Sequence, residues 1–417
     1  MSVERNERKA AGASLAVVAL LALMTAALSP AAMAAAPYPL EPGDAQVQGA
    51  LGYLRGTQAT DGSIGGYGDS AWALMAIAAA GEDPRDWNAG GPSVVDYLED
   101  NAALLAGELN LASAYARSVL AIVAACGDPS AFGAGDPTYA PGGDYLSELK
   151  GLHNGSQFVD QWGATDILND DLWAVIALIA AGEPQDSPFV TSTVDFIKLN
   201  QGGDGGWSWA TVDNAWYFGS DVDDTAVAVM ALIAAGEPQD SPTIAAALDF
   251  IEYSQDESGG FTWSGPANPD FNPVNGGSTA WAIDAIVAAG EDPTGAEWTT
   301  AAGNDPVDFL LTLQQAGGEF VYADPLPTGY LPMAEKTGSD AVVALLGHPY
   351  WTGWAGSCRV GGVVEIQVDS PRSAVDSAAG SPGGTSSLPY VLAAGAAAVA
   401  AVAVAAGGWC VWLNRRR

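Results

Sequence analysis

The chain is short of bases, cysteines and histidines. Fourteen Lys and Arg stand against 49 Asp and Glu, a net charge of −35 over 417 residues. Nucleic-acid binding needs clustered positive charge, so that class is excluded. Three cysteines do not make a disulfide framework. Cys126 and Cys358 could pair; Cys410 lies in a terminal apolar run. With no C-x-x-C and only His153 and His348, a Cys/His metal centre has no ligand set. What is abundant is apolar residue (49%), with 51 Gly and 25 Pro. That composition supports a sizeable core cut into many short elements.

The two ends read as targeting segments. Residues 1–36 have Arg5, Arg8 and Lys9, then an apolar run, then Ala32-Met33-Ala34, the form of a signal peptide and its cleavage site. Residues 358–387 are rich in Ser, Gly and Pro, as a stalk is. Residues 388–413 are apolar over a length that spans a bilayer, and residues 414–417 end in three Arg. The expectation is an exported protein held at the cell membrane by one C-terminal transmembrane helix, with the C-terminus inside and residues 37–357 outside.

Residues 37–357 repeat with a period near fifty. Ala-Ala-Gly before Glu and Pro recurs with its Gly at 81, 182, 236 and 290, and weaker echoes fall at Gly127 and Gly347. A Gly followed by Pro ends a helix. Twelve residues before the Gly stand Asp69, Asp170, Asp224 and Ser278, read here as N-caps. Nine residues before it stand Trp72, Trp173, Val227 and Trp281, a recurring apolar position. The helix between is Ala-, Leu- and Ile-rich and nearly uncharged, as a buried helix is. A more amphipathic helix precedes it in each unit. That helix carries an aromatic–aliphatic pair and a Gln: Tyr53-Leu54 with Gln58, Phe196-Ile197 with Gln201, Phe250-Ile251 with Gln255, Phe309-Leu310 with Gln314. A Gly-rich turn and an aromatic follow, as in Gly205-Gly206-Trp207, Gly259-Gly260-Phe261 and Gly317-Gly318-Glu319-Phe320.

This pattern resembles the Gln-Trp repeat of the prenyltransferase and squalene-cyclase superfamily over roughly residues 45–350. The resemblance implies an all-α fold, a single (α/α)6 toroid of about six helical hairpins. An inner ring, assigned to the Ala-rich helices, lies inside an outer ring around a central cavity. It also implies that Gln and aromatic tie successive units together.

Asp221-Val222-Asp223-Asp224-Thr225-Ala226 resembles the D-x-D-D-T-A motif of class II terpene cyclases. On that resemblance Asp223 is the acid that protonates an alkene, with Asp221 and Asp224 as supporting carboxylates. Neighbouring carboxylates and a dry cavity keep one proton in such a cluster. The structural alternative is that Asp224 is a helix cap, as the equivalent Asp and Ser are in other units. Family cyclases use two helical barrels, and this chain has residues for one. Trp207, Trp209, Trp216, Trp263 and Trp281 are candidates to line a ligand cavity. No cofactor is implied. Ca2+ is considered only because Asp61, Asp204 and the Asp221 cluster sit by Gly loops, none with EF-hand spacing.

Two functions are carried forward. The leading expectation is a cell-surface binding module for an apolar small molecule or a surface protein, not an enzyme. The alternative is a class II terpene cyclase. They separate at Asp223. A cyclase places it in an enclosed aromatic pocket with a raised pKa, whereas a binding module leaves it capping a helix or in solvent.

Overall fold

The computed structural model describes residues 37–215, 217–265 and 272–351. Twelve helices follow in chain order: α1 (Ala45–Thr57), α2 (Tyr67–Ala79), α3 (Val94–Asp100), α4 (Leu111–Ala124), α5 (Tyr145–Gly151), α6 (Asn169–Ala180), α7 (Pro188–Leu199), α8 (Val222–Ala234), α9 (Pro242–Tyr253), α10 (Gly276–Ala288), α11 (Pro306–Thr312) and α12 (Ala334–Leu345). One short antiparallel pair, β1 (Phe261–Thr262) and β2 (Val274–Asn275), joins Phe261 to Asn275 and Thr262 to Val274.

The even-numbered helices form a closed inner ring. Each packs on its two even-numbered neighbours, and α12 packs back on α2. The odd-numbered helices form the outer layer, with α3, α5, α7, α9 and α11 each against the inner helix before it and α1 against α12. Composition explains the division. Inner helices such as α2 and α8 are buried along nearly their whole length, which a charge-free Ala/Leu/Ile sequence tolerates. Outer helices such as α7 bury one stripe, Val190, Thr193 and Ile197.

The Gln ties are present. Gln201 Nε2 donates to the carbonyls of Gly205 and Thr243, spanning its own turn and the next outer helix. Gln58 donates to Gly62 and Trp87, and Gln255 to Gly259 and Trp298. The turn glycines are dictated by close approach. Gly205 has φ 95°, and a Cβ there would lie 2.3 Å from the Ala246 carbonyl oxygen. Gly318 has φ 95°, and a Cβ would lie 2.2 Å from the Gly49 oxygen.

Two sequence expectations shift. The residues twelve before the terminal Gly are not N-caps but lie inside the first turn, Asp69, Asp224 and Ser278 at its third position and Asp170 at its second. In α8 the cap is Asp221, whose side chain accepts from Asp224 N; in α10 it is Asn275, accepting from Ser278 N. The helices begin one turn earlier than read, because these caps sit in extended backbone just before the repeat's acid. In the second unit the left-handed C-terminal position falls on Cys126 (φ 59°), not on Gly127. Cys126 is disulfide-bonded; Cys358 and Cys410 lie outside the described residues. So do the expected signal peptide (1–36), stalk (358–387), transmembrane segment (388–413) and tail (414–417). Among the described residues, no helix is long and apolar enough to cross a membrane.

Candidate active site at the mouth of the inner ring

The first turns of neighbouring inner helices are cross-linked by side chains. Ser113 of α4 donates to Asp170 of α6, and Asn169 of α6 donates to Asp224 of α8. These bonds set the N-termini at one level and parallel, so their dipoles favour negative charge at that end. Each of three inner helices also docks its start on a loop aromatic. Leu168 N donates to Trp209 O, Val222 N to Trp263 O and Gly276 N to Tyr322 O.

That register sorts the aromatics into two sets. Trp207, Phe261 and Phe320 are fully buried in the shell. Trp209, Trp263 and Tyr322 stand two residues later and are half-buried at the start of the inner helices. Trp207 is therefore corrected from ligand-lining to packing. Its indole N–H donates to Ile197 O, which points the ring between helices. Trp216 lies outside the described residues.

Asp221, Asp223 and Asp224 have three different settings. Asp221 is the buried cap of α8. Burial raises its pKa well above the usual carboxylate range, and the Asp224 charge adds to this. Asp224 is also raised by burial, while bonds from Asn169 and Asp221 oppose the rise. The bond between the two carboxyls raises Asp221 and lowers Asp224. Asp223 caps nothing. Its Oδ1 has no hydrogen-bond partner. Burial pushes its pKa up to about 7; the Ser278 hydroxyl and Lys336 pull against that rise, and the Asp224 and Asp340 charges add to it. Lys336 and Asp340 belong to α12, which does not neighbour α8 in the ring. Asp223 therefore faces across the lumen.

Below Asp223 the lumen is aromatic. Trp72 of α2, Trp173 of α6 and Trp281 of α10 come from alternate inner helices at the same repeat position. Their ring centroids are 5.2, 5.5 and 6.4 Å apart. Tyr350, from the loop after α12, packs edge-on to Trp72 at 5.4 Å and to Trp173 at 5.7 Å. The Lys336 ammonium lies 4.2 Å from the Trp72 ring centre and 4.7 Å from that of Trp281. It also bonds both carboxylate oxygens of Asp340, at 2.6 and 2.5 Å. Asp284 of α10 is fully buried with neither oxygen bonded, and burial raises its pKa strongly. Above, Tyr322 stacks on Tyr330 at 6.0 Å, and its hydroxyl pKa is raised by burial and by the Asp223 charge.

Of the sequence candidates, the structure brings Asp223 and Trp281 into one lumen with Trp72, Trp173, Tyr322 and Lys336. Trp209 and Trp263 hold the entry to α6 and α8. Sequence reading passed over Trp72 and Trp173 as core, although the Trp at every second repeat was a visible signal. Tyr322 also had a signal, since it stands where Trp209 and Trp263 stand. Lys336 had none.

The other acidic loops are satisfied internally. Asp204 accepts from Ser220 Oγ, and Asp61 from the Ser63 hydroxyl and N–H. No group of three or more His, Cys, Asp or Glu suited to a metal ion is found among the described residues. A groove of 530 Å³ lies on the outer side, lined by Gln239, Leu248, Glu291 and Trp298. None of the lumen residues lines it.

Residues 116–264 match the model of the squalene-hopene cyclase C-terminal domain, a span that includes the Asp221–Asp224 motif. No curated protein matches in sequence. Among solved structures, the apo type II terpene cyclase MstE from Scytonema is 14% identical, covering 72% of this chain and 96% of that one, with TM-score 0.49. A glycosidase in complex with glucose is 12% identical, covering 75% and 95%, with TM-score 0.45. An ent-copalyl diphosphate synthase from Streptomyces platensis is 17% identical, covering 67% and 50%, with TM-score 0.41. From the second inner helix to the first strand, the chain is similar to the squalene-hopene cyclase C-terminal domain, the family its repeats resemble.

Proposed function

We propose that the chain is a class II terpene cyclase that starts the reaction by protonating an alkene from Asp223. The observation that carries this reading is the state of Asp223. It is a carboxyl facing an aromatic lumen, with a pKa near 7 and one oxygen without a partner. Such a group is protonated in mildly acidic solution and half protonated near neutrality, and that oxygen has no competing acceptor, as a general acid requires.

The step balances simply. The alkene π pair forms the new C–H bond to the Asp223 proton, leaving a tertiary carbocation on the substrate and a carboxylate on Asp223. Ser278 and Lys336 favour that carboxylate. A second substrate alkene attacks the cation and closes a ring. Loss of a proton from the last cation returns the proton count to zero, so the net reaction is isomerisation. Indole faces stabilise the cation through their quadrupoles. Among the described residues, six of the eight exposed large apolar side chains, Trp162, Phe218 and Leu331 among them, sit on the segments that lead into inner helices. An apolar substrate suits that rim.

The surface-binding reading expected Asp223 to cap a helix or lie in solvent, and its geometry supports the cyclase instead. Export and a C-terminal membrane anchor remain part of the proposal, resting on the sequence of residues 1–36 and 388–417. The test uses the full-length chain with geranyl, farnesyl, geranylgeranyl and squalene substrates, followed by mass spectrometry. Cyclised product that falls at least a hundredfold in Asp223→Asn supports the proposal. Product undiminished by that substitution, or no cyclised product from any substrate, overturns it.

A further inference from the structure

We infer that Trp72, Trp173 and Trp281 form a floor that limits the lumen to short prenyl chains; the inference rests on the cyclase reading for its substrate class. The floor lies close under the acid. Counted from the glycines that end their helices, Asp223 stands thirteen residues back and the three Trp stand nine back. Four residues of parallel helix are about 6 Å of rise. The first turns of α4, α6 and α8 are held level by the Ser113–Asp170 and Asn169–Asp224 bonds, and Ser278 of α10 bonds Asp223, so along α6, α8 and α10 this offset is a depth.

The floor is closed. Centroid separations of 5.2 to 6.4 Å are those of rings in contact. No gap among them admits a methyl-branched chain. Trp72 and Trp173 are buried, and Tyr350, 1% exposed, fills the space against both. The intervening inner helices carry Arg117 (counted from the left-handed Cys126), Val227 and Gly338 at the same position, and Arg117 is paired with Glu108. The three indoles and Tyr350 together make the closure. A chain protonated at Asp223 then has about one helical turn of depth beneath it. The Lys336 ammonium lies on two of the rings and takes up part of that depth, so a squalene-length chain has nowhere to continue beneath the acid.

The test compares farnesol with squalene on the full-length protein by two readouts. One is kcat/KM; the other is equilibrium dialysis of each labelled chain, which needs no turnover. The wild type is expected to favour farnesol at least a hundredfold in both. Trp173→Ala is expected to narrow that preference at least tenfold. Trp173→Phe keeps an aromatic ring in place should the Ala variant unfold, and is expected to narrow it less. Squalene bound or converted as well as farnesol by the wild type overturns the floor while leaving the cyclase intact. Farnesol bound selectively without conversion supports the floor and counts against the cyclase. A preference unchanged in both folded Trp173 variants overturns the floor.

Discussion

Gln314 donates its side-chain N–H to the backbone carbonyl of Gln46 at 2.7 Å, 268 residues earlier in the chain. The same amide holds the Gly318 carbonyl. It repeats the bond pair of Gln201 and Gln255, but here it joins the last outer helix to the first and so closes the ring. Substituting Ala removes both bonds and costs about 1–3 kcal/mol. Urea unfolding of Gln314→Ala should show a lower midpoint, and Gln255→Ala a loss of similar size. A Gln314 variant as stable as the wild type would mean that closure does not depend on this tie.

Buried acids make stability pH-dependent in an unusual direction. Burial raises the pKa of Asp170 to about 7, and raises Asp171, Asp221 and Asp284 too. A raised carboxyl binds its proton more tightly in the folded state than in the unfolded one. Its contribution is full below the unfolded pKa, near 4, and is lost as pH rises through the folded value. Asp170 alone shifts by about three units, worth on the order of 4 kcal/mol. The melting temperature should fall between pH 5 and pH 8. Asp170→Asn, which keeps an acceptor for Ser113, should flatten that fall.

Lys336 holds Asp340 and lowers the pKa of Asp223. Lys336→Met therefore moves two observables. Leaving Asp340 without its cation destabilises the fold by about 3 kcal/mol, and Lys336→Met/Asp340→Asn recovers most of this. Asp223 also holds its proton to higher pH, so the fall in activity near pH 7 moves upward. Thermal melts and a pH–rate profile read the two effects separately. A profile that stays in place in Lys336→Met would remove Lys336 from the acid's surroundings.

Much of the architecture was legible in the chain because its causes are local. A terminal Gly, a charge-free inner helix and a Gln before a Gly turn each state their own role. The caps were misplaced by one turn because Asp221 and Asp224 both suit a helix start, and only the bond from Asp224 N to Asp221 decides between them. Trp207 and Trp209 are two residues apart and look alike in sequence. One fills the shell and the other holds an inner helix, because extended backbone turns alternate residues to opposite sides. The Trp floor and Lys336 were hidden for a different reason. Trp72, Trp173 and Trp281 meet only after α2, α6 and α10 face one another across a closed ring, a relation no local pattern contains.

Proton transfer from Asp223 is the central claim, and solvent deuterium tests it most directly. The Asp223 carboxyl exchanges with water between turnovers, so wild-type protein in D2O with farnesol should give a cyclised product carrying one deuterium on the carbon that accepts the initiating proton. Asp223→Asn should give no such product. A cyclised product without deuterium, or deuterated product formed equally by the Asn variant, would contradict the account.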